Sequence, residues 1–134
     1  MEKAKRFKNW KKPEIKEGKP TKYNWMVQGV KSLEMGKNVD IGAFAYINAE
    51  AGVVLEEDVQ IGGGVKIYSV STVDNKRGRV VLKKNCRIGA NSVVMPGVTV
   101  GENSVIGALS FVNKDIPDNV IAYGIPAKVI KQLK

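Results

Sequence analysis

A chain of 134 residues and 14.6 kDa is long enough for one domain, and with 43% hydrophobic and 26% charged residues it can fill a core, which excludes wholesale disorder. It contains no histidine, which removes Ser-His-Asp and Cys-His triads, His-ligated zinc and imidazole general bases. The formal charge of +9 is unevenly spread: residues 1–33 carry ten Lys/Arg against three acids, a balance of +7, which leaves the rest nearly neutral.

No apolar run reaches the roughly 18 residues that span a bilayer, and no hydrophobic segment follows the Lys-rich start. The single cysteine forms no internal disulfide, so a reducing cytoplasm is the expected location. Residues 1–33 read as a basic arm, extended over about its first 25 residues, with Trp10, Tyr23, Trp25 and Met26 available to anchor it to a neighbouring coil. Polycation binding to nucleic acid is permitted there, but with only Phe7 and Trp10 interleaved the pattern is generic.

From Met35 an aliphatic residue recurs every sixth position: Met35, Ile41 and Ile47; then Leu55, Ile61, Ile67 and Val73; then Leu82, Ile88, Val94, Val100, Ile106 and Val112. Two insertions interrupt the register, a short one before Leu55 and a longer one around Asp74–Val81. Gly often follows the aliphatic residue, as at Gly42 and Gly89. The fourth position is Asn, Asp or Gly at Asn38, Asp58, Gly64, Asn85, Asn91, Gly97, Asn103 and Asp115. The fifth is small or β-branched, as at Ala45, Val59, Cys86, Ser92 and Ser104.

A period of six means short strand, corner, short strand. The first and fifth residues point inward, and Gly, Asn and Asp tolerate the positive φ of a tight corner. Three strands close an 18-residue coil, and coils stack about 4.8 Å apart through backbone hydrogen bonds. The expected fold is therefore all-β: a left-handed parallel β-helix over residues 34–117. Residues 118–134 drop the hexad and predict a turn at Gly124-Ile125-Pro126 followed by a short capping helix. Cys86 sits at an inward position and reads as core, and Gly62-Gly63-Gly64 lacks the Lys-Ser/Thr and helix of a phosphate loop.

The stretch CRIGANSVVMPGVTVGENSVIGALSFVNKDIPDNVIAYGIPAKVIK, Cys86 to Lys131, closely resembles the C-terminal part of hexapeptide-repeat acetyltransferases, the sugar and nucleotide-amino-sugar O- and N-acetyltransferases. The resemblance extends over about Met35 to Lys131. It implies a homotrimer with acetyl-CoA in the cleft between neighbouring coils and a sugar or nucleotide-sugar acceptor; with no histidine to ligate zinc, no metal is expected. Carried over by residue, it places Ala90 and Ala108 on the acyl and pantetheine portion. Asn113, Lys114, Lys128 and Lys131 fall toward the nucleotide phosphates.

Many members of that family place a general-base histidine near the loop after the second coil. Here the loop reads IYSVSTVDNKRGRVV. Two readings follow. In one, an amine acceptor supplies its own nucleophile, and positioning with an oxyanion donor suffices. In the other, Asp74 acts as base or holds the substrate ammonium, helped by Asn75 or Tyr68. Lys76, Arg77 and Arg79 suit the diphosphate of a nucleotide-linked sugar. The leading expectation is an acetyl-CoA-dependent N-acetyltransferase of a nucleotide-linked amino sugar for surface polysaccharide synthesis. Sugar O-acetylation and a non-catalytic trimeric scaffold are the alternatives.

Overall fold

The computed structural model describes residues 6–133. The hexads become strands of two or three residues, stacked by parallel pairing into three faces of a solenoid of about five turns. Face 1 holds Met26–Gln28, Tyr46–Asn48, Lys66–Tyr68, Val93–Val94 and Phe111–Val112. Face 2 holds Leu33–Met35, Val53–Leu55, Val80–Leu82 and Thr99–Val100. Face 3 holds Asp40–Ile41, Gln60–Ile61, Arg87–Ile88, Val105–Ile106 and Val120–Gly124, with Ala127–Gln132 added at its end.

Register turns the six-residue period into continuous inner columns. On face 1, Val27, Ile47, Ile67, Val94 and Val112 lie at matching strand positions from one coil to the next. On face 3, Ile41, Ile61, Ile88, Ile106 and Ala122 do the same. Met35, Leu55, Leu82 and Val100 form the column on face 2. Except for Met35, which packs against the core from its rim, these residues are buried. Cys86 joins them as a small core side chain.

The corners divide two duties that the sequence alone had merged. At the fourth hexad position φ is positive at Asn38, Asp58, Gly64, Asn85, Asn91, Gly97 and Asn103. Asp115 is the exception, and its carboxylate instead accepts the Thr99 amide at 2.8 Å. The glycine at the second position has ordinary φ and is needed for close approach. A Cβ at Gly42 would lie 2.4 Å from the Gly63 amide nitrogen, so no larger residue fits without parting the coils. The asparagines also bond along one corner, Asn85 to Asn103 at 2.9 Å and Asn103 to Asn119 at 3.0 Å.

Val73 departs from the expected register. The chain leaves the solenoid at Ser69 and re-enters at Gly78, whose amide donates to the Ser69 carbonyl at 2.9 Å. Between them Val70–Ser71 and Lys76–Arg77 pair as an antiparallel hairpin. The excursion closes on itself, so no inward position is offered and Val73 is 99% exposed at its tip. Val80–Leu82 is already back in the solenoid, paired with Val53–Leu55.

The C-terminal helix is also corrected. Val120–Gly124 continues face 3 and leaves a free edge, and Ala127–Gln132 folds back antiparallel to satisfy it. β-branched Val129 and Ile130 suit that strand better than a helix. Among the described residues the one helical element is a short 3-10 turn at Val30–Ser32. No helix among the described residues is long and apolar enough to cross a membrane.

At the other end, parallel pairing begins at Met26–Gln28, within the segment read as the basic arm. The residues before it cross the open end of the solenoid, with Ile15 packed on the core and Trp25 buried beneath. The Trp10 indole N–H donates to the Val39 carbonyl at 3.0 Å, and Arg6 pairs with Asp40. Tyr23 does not anchor the arm: its ring is half exposed, with the Lys22 ammonium 5.2 Å from its centroid. The unforeseen anchor is Glu17, whose carboxylate accepts the Gly29 amide at 2.8 Å and the Val30 amide at 2.9 Å.

Removing a side chain from an inner column leaves a cavity that flat stacked coils cannot collapse. Ile67→Ala should therefore lose about 2–5 kcal/mol in urea unfolding. The Val30 and Gly29 amide bonds hold the Glu17 carboxyl below its ordinary value. A depressed folded-state pKa stabilises fully at neutral pH, and that stabilisation disappears as pH falls through and below the usual carboxylate range near about 4.3. Glu17→Gln should thus lower Tm at pH 7, and the gap from the parent should narrow in melts at pH 3.

Candidate functional site

Two of the solenoid's edges gather the candidate residues. The edge where face 3 turns into face 1 carries, coil by coil, Ala43-Phe44, Gly63-Gly64, Ala90-Asn91 and Ala108-Leu109. Each second residue sends its amide back across one coil: Gly64 to the Ala43 carbonyl at 2.9 Å, Asn91 to Gly63 at 2.9 Å, and Leu109 to Ala90 at 2.9 Å. The preceding amides, of Gly63, Ala90 and Ala108, donate to no group among the described residues. Ala90 and Ala108 are both exposed. The edge is thus a ladder of backbone donors about 4.8 Å apart, open to a ligand.

Lys128 belongs to this edge. It stands opposite Tyr123 in the terminal hairpin, and Tyr123 lies over Gly107, where a Cβ would be 2.8 Å from the Tyr123 Cβ. Lys131 pairs with Ile121, farther back along the same strand. Asn113 and Lys114 are exposed, but on the next edge, where face 1 turns into face 2.

That second edge also carries the hairpin loop. Asp74 accepts a hydrogen bond from the Ser71 hydroxyl and has the Lys76 ammonium at 3.9 Å. Asn75 occupies the left-handed position of the turn, φ 53°. Lys76 and Arg77 form one exposed strand of the hairpin. Arg79 is drawn away from them: its stem packs over Gly52 and its guanidinium reaches Glu34 at 3.3 Å. Tyr68 lies on face 1 at the root of the loop, its ring 5.8 Å from that of Tyr46 and tilted by 53°.

Tyr46 escaped the sequence reading. Its hydroxyl donates to the Gln28 side-chain carbonyl, and partial burial raises its pKa, so the phenol stays a protonated donor. Beside it, the Ser69 hydroxyl donates to the Asn48 side-chain carbonyl at 3.2 Å and accepts the Ala51 amide at 2.9 Å, fixing the point where the loop departs. The register that sets Gln28, Asn48 and Tyr68 side by side was the missing information. Among the described residues no group of three or more His, Cys, Asp or Glu is arranged to hold a metal ion.

Phe44 and Leu109 were missed for a different reason. Both have positive φ, 65° and 61°, and both are exposed, 72% and 66%. Bulky side chains pay about 1–2 kcal/mol there, and the equivalent corners of the two intervening coils use Gly64 and Asn91. The hexad rule expected a turn former at these positions and offered no reason for an apolar one.

The family described as bacterial transferase hexapeptide (six repeats) matches residues 79–114, and that described as hexapeptide repeat of succinyl-transferase matches 33–69. The chain belongs to the hexapeptide-repeat transferase family. A galactoside O-acetyltransferase of Lactococcus lactis is 39% identical over 113 residues, 73% of this chain and 55% of that protein. A dTDP-3-amino-3,6-dideoxy-alpha-D-galactopyranose 3-N-acetyltransferase of Aneurinibacillus thermoaerophilus is 50% identical over 52 residues, 39% of this chain and 27% of that protein. Among solved structures, a hexapeptide-repeat acetyltransferase of Vibrio cholerae complexed with acetyl-CoA superposes with TM-score 0.78 at 27% identity, covering 82% of this chain and 65% of that one. The chain spans about half the length of curated relatives such as the galactoside enzyme.

Leu109→Gly relieves the left-handed strain but frees the unfolded backbone. The net change in urea unfolding should lie between zero and about 1 kcal/mol of stabilisation, whereas Leu109→Val should destabilise.

Proposed function

We propose that this chain is an acetyl-CoA-dependent acetyltransferase that N-acetylates a nucleotide-linked amino sugar, as a step in surface polysaccharide synthesis. The observation that carries the acyl-transfer reading is the open amide ladder at Ala90 and Ala108 with Lys128 on the same edge. A chain of amides such as pantetheine meets spaced backbone donors there, and a phosphate meets Lys128, with Lys131 farther along the strand. Asn113 and Lys114 lie on the adjoining edge, so they serve this ligand only where a neighbouring copy brings the two edges together. Relatives that are named acetyltransferases, and the acetyl-CoA complex of the Vibrio protein, support the same reading.

The acceptor follows from proton bookkeeping. A hydroxyl must lose its proton as it attacks, and a chain without histidine has no imidazole to take it. A neutral amine attacks the thioester carbonyl directly, the C–S bond breaks, and the proton shed by nitrogen passes to the departing thiolate. Asp74, helped by Asn75 beside it or by Tyr68 at the root of the loop, holds the incoming ammonium or receives its proton. Lys76 and Arg77 face the diphosphate; Arg79, engaged by Glu34, is the weaker candidate. A homotrimer would cover face 1, whose outward row of Met26, Tyr46, Val93 and Phe111 is largely apolar around Lys66.

Calorimetric titration with acetyl-CoA should show saturable binding near one site per chain. Lys128→Ala should weaken it about five- to tenfold. Free thiol should then appear with nucleotide-linked amino sugars and not with their hydroxyl counterparts. Absence of binding at millimolar acetyl-CoA would leave a scaffold, and turnover confined to hydroxyl sugars would overturn the acceptor.

A further inference from the structure

The arm does more than close the solenoid. Between its outer stretch, the Pro20–Trp25 turn and the first corner of coil one lies a cleft of about 720 Å³, within the roughly 300–1,000 Å³ of small-molecule sites. Capping needs only the apolar plug of Ile15 and Trp25, yet the cleft wall carries Phe7, Trp10 and Tyr23 together with Lys11, Lys12 and Lys22. Its two carboxylates are already engaged, Asp40 by Arg6 and Glu14 by Lys16 at 3.5 Å. Lys11, Lys12 and Lys22 form no ion pair among the described residues, so the cleft retains positive charge. The Trp10 ring is held in place because its N–H is committed to the Val39 carbonyl.

We propose that this cleft binds an anion of the nucleoside diphosphate class, with the base against the aromatic walls and the phosphates on the lysines. Neither half of the lining explains the other. A simple polyanion would not use three partly exposed aromatic rings, and an apolar guest would be repelled by desolvation of the ammonium groups. A planar ring carrying two phosphates uses both, since rings stack on aromatic side chains whatever the base. The proposal is independent of the acetyl-CoA edge, which lies along the opposite stretch of the solenoid at Ala90, Ala108 and Lys128.

The test uses the chain's own reporters. Trp10 and Trp25 are its two tryptophans, and both line the cleft. Titration of the full chain with UDP and ADP should quench their emission saturably, after correction against free tryptophan. Uridine and inorganic pyrophosphate should each bind at least tenfold more weakly. Lys11→Ala/Lys12→Ala should weaken UDP binding tenfold or more at unchanged Tm, and saturating acetyl-CoA should leave it intact. Equal binding of pyrophosphate would reduce the cleft to a polycation, and equal binding of uridine would reduce it to an apolar slot. Displacement by acetyl-CoA, or no saturable change, would overturn the proposal as well. A nucleotide-linked sugar as tight as UDP supports the nucleotide site and moves the acceptor's diphosphate here from Lys76 and Arg77. A tenfold weaker one assigns it to a free nucleotide, and the cleft is a nucleotide site either way.

Discussion

Parallel coils can stack only at the separation that backbone hydrogen bonds allow, about 4.8 Å, and every other feature of this chain answers to that spacing. Because each strand pairs with the strand one coil above and below, inner side chains fall into columns, and each column must be filled by residues of similar reach. Ile41, Ile61, Ile88 and Ile106 do so on one face. The same spacing brings corner backbones so close that a Cβ at Gly42 or Gly89 would lie 2.4 Å from a neighbouring amide nitrogen. Glycine at the second position is thus a consequence of stacking, and left-handed Asn, Asp or Gly at the fourth a consequence of turning.

A stack held together by its interior hydrogen bonds has two ends where those bonds run out. The chain resolves them by different means. At the C-terminal end the last strand folds back on itself through Ile125-Pro126, so the edge of face 3 is satisfied from within the same sheet. At the N-terminal end an irregular arm crosses the opening, fixed where Glu17 takes the Gly29 and Val30 amides and where Trp10 meets Val39. The irregular solution leaves room beneath it. That room is the aromatic and cationic cleft beneath the arm.

The same geometry governs the candidate acyl-transfer site. Corner amides that do not bond across coils point outward at the coil spacing, and a solenoid therefore offers an extended amide-bearing ligand a matched ladder at no cost in folding. Phe44 and Leu109 violate the turn rule on that edge while Gly64 and Asn91 obey it, so the edge is not merely a product of the repeat. The charged loop and Asn113 with Lys114 lie on the adjoining edge. Chemistry that needs both edges therefore needs them brought together by more than one copy of the chain.

The solenoid was legible in the sequence because its determinants are periodic and local: a residue's fate as core, close approach or corner depends on its place in a hexad. Twelve of the thirteen aliphatic positions pack inward or at the rim of the core on that ground alone. Val73 failed because register is broken by an insertion whose ends meet at Ser69 and Gly78, and a closing hydrogen bond between distant residues leaves no local trace. The terminal helix failed because a free sheet edge, present only once Val120–Gly124 has docked, outweighs short-range helix preference. Composition by itself removed histidine chemistry, and residue order concentrated the positive charge at the N-terminal end. Only the tertiary structure decided that Lys128 shares an edge with Ala108, that Arg79 is engaged by Glu34, and that Trp10, Tyr23 and four lysines line one cleft. Those juxtapositions arise between coils, where sequence separation carries no information about distance.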